Sequence, residues 1–146
     1  MSSLNDVLGN EAKKPQIIDD CMSLIDAEVA EKGGISGLAL KAGYAAVKGV
    51  KPGFVRQVIT DLLPEFSTAL DPIYQEAKGS GKAIGDHIGN ERSRVADALL
   101  SITDGKAKNS KSGVVKGTYD KLRGTAKKHV EAATPRLGKL IEKYSA

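Results

Sequence analysis

Apolar residues recur along this chain in steps of three and four, the spacing that gathers side chains on one face of an α-helix. Ile17, Ile18, Cys21, Leu24, Ile25 and Val29 form a first stripe. Its helix should start at Pro15, a favoured first helical residue, and end near Glu31, before Gly33-Gly34. Val55, Val58, Ile59, Leu62, Phe66, Ala69, Leu70, Ile73 and Ala77 form a longer stripe, and Ile84, Ile88, Val95, Ala98, Leu99 and Ile102 another that ends near Asp104. The last stripe runs through Val115, Tyr119, Leu122, Ala126, Val130, Ala133, Leu137, Leu140 and Tyr144, with Ser112 placed to cap it. Leu4, Val7 and Leu8 suggest a short helical turn packed back on the body. No stretch alternates convincingly as a strand, and no repeat of 20 to 50 residues is visible.

One segment departs from this one-sided pattern. Between Ile35 and Val50 only Lys41 and Lys48 interrupt an apolar and small-residue run. A helix apolar on all sides is usually buried, so the pattern predicts it as the centre of the domain. Prolines punctuate the rest. Pro64, Pro72 and Pro135 fall inside helical stripes, where each removes a donor and clashes with the preceding turn, and breaks or kinks are expected there. Asp71-Pro72 and Thr134-Pro135 look like caps followed by first-turn prolines: the first would restart a short helix over Pro72 to Lys78, and the second would divide the C-terminal stripe into helices near 113–132 and 135–144. The fold expected is all-α: a single domain over residues 1–146, built as a bundle of five or six helices, several of them broken or kinked at proline.

Charge changes this picture more than composition does. The 146 residues carry a net +4, but residues 1–100 sum to −3 and residues 101–146 to +7. The basic C-terminal segment 113–144 should therefore pack its apolar stripe on an acidic body. Lys116, Lys121, Arg123, Lys127, Lys128, Arg136, Lys139 and Lys143 project away from that stripe on a helical wheel, as do Gly117, Gly124 and Gly138. Aromatic residues make up only 4% of the chain and Trp is absent, so the core must be filled by Ala, Val, Ile and Leu. A single cysteine excludes an internal disulfide. Met1 to Asp6 shows no secretory pattern, and the Gly33 to Val50 run is shorter than the ~20 apolar residues that a spanning helix needs. A cytoplasmic protein without a transmembrane segment is expected.

Candidate chemistry is sparse. Gly79-Ser80-Gly81-Lys82 resembles part of a phosphate-binding loop, but Glu76 stands where that loop's first glycine belongs and Ala83 where its hydroxyl belongs. His87 and Glu91 share a helix face at four residues' spacing beside Asp86, which more often marks a solvated pair than a metal site. His129 sits among lysines, and Cys21 lies on an apolar stripe as a small packing group. No cofactor, metal or catalytic set is expected.

Leu24-Ile25-Asp26-Ala27-Glu28-Val29, Ala45-Ala46-Val47-Lys48 with Lys51-Pro52-Gly53-Phe54, Leu70-Asp71-Pro72-Ile73-Tyr74 and Lys127-Lys128-His129-Val130-Glu131-Ala132-Ala133 resemble small bacterial helical proteins grouped as a family of unknown function. The resemblance implies a single helical domain and brings no catalytic residue, cofactor or partner. The function expected is a non-enzymatic interaction or accessory protein that uses Lys116, Lys121, Arg123, Lys127, Lys128, Lys139 and Lys143 toward an acidic protein or an anionic surface. A peripheral membrane or lipid-associated protein is the alternative, and it requires the Ile35 to Val50 segment to be exposed or able to open. Non-specific nucleic-acid binding ranks third, because lysines are present without a stacking platform.

Overall fold

Those stripes become helices in the computed structural model, which describes residues 3–145. The elements are α1 (Leu4–Leu8), α2 (Lys14–Glu31), α3 (Gly34–Lys48), α4 (Phe54–Ser80), α5 (Ile84–Asn90), α6 (Arg92–Lys108) and α7 (Gly113–Ser145). Seven helices among the described residues thus replace the five or six expected. Leu4–Leu8 closes as a helix of its own, and the third stripe divides at Glu91. Ser3 caps α1 reciprocally: its hydroxyl accepts the Asp6 amide, and the Asp6 carboxylate accepts the Ser3 amide at 3.0 Å.

The prolines do not break the helices. Both α4 and α7 run through theirs without interruption. Pro64, Pro72 and Pro135 are all exposed, so a carbonyl left without its amide partner lies near solvent. At Pro135 the protein supplies a substitute, because the buried Thr134 hydroxyl donates to the Glu131 carbonyl at 2.7 Å. Asp71 is not the cap of a restarted helix either. Its carboxylate accepts the Leu4 amide at 2.8 Å and so pins α1 across the middle of α4.

Side-chain size decides where the core lies. Leu4 and Leu8 of α1, Ile17 and Ile18 of α2, Leu63, Leu70, Ile73 and Tyr74 of α4, Ile88, Val95, and Leu140, Ile141 and Tyr144 of α7 bury one another at one end of the bundle. The close crossing of α5 and α7 there needs glycine. A Cβ at Gly138 would stand 2.8 Å from the Gly85 Cα. Gly138 is therefore buried at a helix crossing rather than turned away from the core as the wheel suggested, whereas Gly117 and Gly124 do face open space.

The central place expected for Ile35 to Val50 is shared instead by α4 and α7, each of which packs against α1, α2, α3, α5 and α6. In α3 only Gly37 and Gly43 are buried, and Ile35 and Leu38 are 90% and 69% exposed. Ala and Gly make a helix read as apolar without giving it much area to bury, so α3 gains little by sinking into the core. It lies instead along the outside of α7, where Gly43 meets Thr118 and Leu122.

Candidate functional site

Because the large apolar side chains collect at one end, the other end is left hollow. The C-terminal half of α2, α3, the start of α4, the end of α6 and the start of α7 surround a groove of about 560 Å³. Ile25 and Val29, Leu40 and Val47, Val55, Val58 and Leu62, and Val115 and Leu122 give it a hydrocarbon wall. A sealed void of that size, at roughly 24 cal/mol per Å³, would cost about 13 kcal/mol, which rivals the ~5–15 kcal/mol stability of a whole domain. Such a space must stand open to water or hold something apolar.

Apart from the Thr118 hydroxyl, the polar side chains of the wall are turned to partners of their own. The Tyr44 hydroxyl donates to Asp26 at 2.6 Å, and the Tyr119 hydroxyl donates to Asp104 and lies 2.7 Å from the Thr103 hydroxyl. Burial, before the neighbouring carboxylate, pushes the pKa of both phenols up, so both stay protonated donors. Arg123 clasps the same Asp104 through Nε at 2.7 Å and Nη2 at 3.2 Å, which fixes α6 to α7 beside the groove. Lys106 is the one lining residue with a charged side chain, and its amine rests 3.0 Å from Glu65.

The lysines and arginines expected on a single outer face divide into two sets. Arg123 pairs with Asp104, Lys127 with Asp97 at 3.0 Å and Lys143 with Asp20 at 2.8 Å, while Arg136 reaches both Glu28 and Glu31. These four tie α7 to the acidic body. Lys116, Lys121, Lys128 and Lys139 are exposed and form no ion pair among the described residues.

The ion pairs set a pH dependence. Asp20 is held below the usual carboxylate range by hydrogen bonds from Lys143 and then Tyr144, Glu31 by Arg136, and Asp104 by Arg123 and then Tyr119. Glu76 is lowered to about 2 by Arg94 and then His87. A carboxyl whose folded pKa lies below its unfolded value stabilises the fold above the unfolded value and loses that contribution as pH falls through the folded one. The thermal midpoint should hold from about pH 7 to 5 and fall between about pH 4 and 2. A midpoint that stays level down to pH 2 would show that these pairs contribute nothing.

The other sequence candidates are bland in place. Cys21 is largely buried, and burial followed by the charge of Asp20 raises its thiol to about 11, which leaves little nucleophilic thiolate. His129 is pushed down by burial and by the charges of Lys32 and Lys128. Gly79 to Lys82 forms the end of α4 and its left-handed Gly81 turn. Glu76, His87 and Glu91 do bring three possible ligand atoms within 4.8 Å of one another. Arg94 already lies between the carboxylates, with Nη1 2.9 Å from Glu76 and 3.1 Å from Glu91. A cation would have to displace that guanidinium.

Sequence reasoning missed the groove. Its only trace was a helix whose residues were too small to fill space, and that signal becomes legible once its neighbours are known. A family model described as a family of unknown function (DUF6918) matches residues 4–145. No curated protein and no solved structure matches the chain.

Proposed function

The chain belongs to that family of unknown function, which brings no activity with it, and we propose from the geometry that the protein is a non-enzymatic binder of one long acyl chain with an anionic head. The observation that carries the reading is the hydrocarbon-walled groove of about 560 Å³, within the ~300–1,000 Å³ common for small-molecule sites. Partnered polar atoms in the wall leave a ligand's tail mainly apolar contact. Lys106 gives the lining its one charge, and a carboxylate or phosphate at the end of the tail would bind there by taking the place of Glu65, 3.0 Å from its amine. The condition set by the lipid-associated alternative, an exposed Ile35 to Val50 segment, is met by α3. A reading in which an acidic partner binds α7 keeps the support of the unpaired Lys116, Lys121, Lys128 and Lys139.

Titration of the intact protein with oleate in vesicle-free buffer tests the groove. One oleate per chain is expected. Val58→Trp, which places a large ring in the groove, should remove that binding and raise the thermal midpoint by filling space. The native chain has no Trp, so the new fluorescence also reports whether the indole is shielded from water. If oleate does not bind, or binds Val58→Trp as well as the parent, the groove is not the site.

A further inference from the structure

We propose that the outer face of α3 docks on an anionic lipid bilayer, from which the groove takes its acyl chain; only the second step rests on the reading above. The helix carries no acidic residue and two lysines. Ile35, Leu38, Ala42 and Ala45 follow one another at intervals of three, four and three, and all four are exposed. They form an apolar strip on the side of α3 away from Gly43 and α7. Lys41 and Lys48, seven residues apart and both exposed, line one edge.

The other edge comes from α7. Position 43 touches Leu122 of α7. Lys121 stands one residue before that contact, about 100° round the helix, and Lys128, seven residues on, falls on the same side as Lys121. Arg123 and Lys127 stand on the opposite side and reach Asp104 and Asp97 of α6. Lys121 and Lys128 are therefore directed outward beside the apolar strip, and both are exposed. An apolar ridge bordered by lysines on both sides suits the boundary between acyl chains and anionic head groups, with the ridge sunk among the chains and the amines at the phosphates. A protein partner is the poorer fit, because the strip offers no pocket and no aromatic or arginine anchor. Two large apolar side chains make the contact weak and reversible, as collection of a cargo requires.

Co-sedimentation of the intact protein with vesicles of phosphatidylglycerol and phosphatidylcholine in equal parts, against phosphatidylcholine alone, tests this. Binding to the anionic vesicles only is expected, weakening as salt rises. Lys121→Gln with Lys128→Gln should lower it by about fivefold per lysine. Ile35→Ser with Leu38→Ser should remove it, while both variants keep the parent's helix content and still bind oleate in vesicle-free solution. Absence of binding, equal binding to both vesicles, or binding that neither variant alters would overturn the proposal. Self-association that Ile35→Ser with Leu38→Ser abolishes, without vesicle binding by the parent, would assign the strip to a second copy of the chain and overturn it too. Vesicle binding without oleate binding would remove the groove reading and leave the docking surface standing.

Discussion

Valine at position 138 is expected to lower the thermal midpoint by about 10 °C, the shift that ~3 kcal/mol produces in a domain of this size. The cost arises from backbone. Any Cβ at 138 would meet the Gly85 Cα at 2.8 Å and its carbonyl oxygen at 3.1 Å, and a helix backbone cannot turn aside as a side chain can. To make room, α5 must move from α7, which would strain the Gly85 amide's 2.6 Å hydrogen bond to Glu142 and loosen Ile88 and Ile141 in the core. Gly124→Ala in the same helix should have the opposite sign, since its Cβ meets nothing within 4 Å and alanine improves helix propensity by up to ~1 kcal/mol. Circular-dichroism melts of the two variants beside the parent suffice. A Gly138→Val midpoint within about 2 °C of the parent would show that this crossing is not tight.

That contrast marks the limit of what the sequence displays. Helix starts were legible where they depend on local chemistry: Pro15 near the start of α2 and Ser112 beneath α7. Gly124 and Gly138 look alike on a wheel, and only the arrival of α5 at one of them separates a wasted glycine from a required one. Asp71-Pro72 is similarly ambiguous. Its motif reads as a cap, yet the carboxylate serves Leu4, 67 residues away.

The candidate site was hidden for a related reason. Ile35 to Val50 counts as strongly apolar residue by residue, but the free energy of burial follows area, and alanine and glycine contribute little. The same smallness that keeps α3 on the surface leaves the hollow beneath it, so the misplaced central helix and the missed groove share one cause. The charge split was readable from composition. Which lysines neutralise the body and which remain for a partner was not, because Lys127 and Lys128 differ by one residue and point to different surroundings.

The small apolar attachment of α3, with only the exposed Tyr44–Asp26 hydrogen bond joining its side chains to α2 among the described residues, predicts that it acts as a lid over the groove. No side chain of α3 is buried, and left-handed glycines stand on either side of it: Gly34, its first residue, at φ +72°, and Gly53, at the end of the turn that leads into α4, at φ +73°. A helix held by so little apolar area opens at low cost, and glycines beside its ends can absorb the change in direction. Locking it should therefore stop ligand uptake. A Cβ at position 43 would lie 2.8 Å from the Thr118 methyl, so Gly43→Cys with Thr118→Cys places two sulfurs within reach of a disulfide. Leu122 can turn its side-chain end away. Cys21 is a poor competitor for that bond, since a thiol raised to about 11 supplies little thiolate. In the oxidised double variant, transfer of oleate from albumin should fall below detection, and reduction with dithiothreitol should restore it to the rate of the Gly43→Cys single variant. Equal uptake in the oxidised and reduced forms, with the disulfide confirmed by mass spectrometry, would mean that the ligand enters a fixed mouth and that α3 does not gate it.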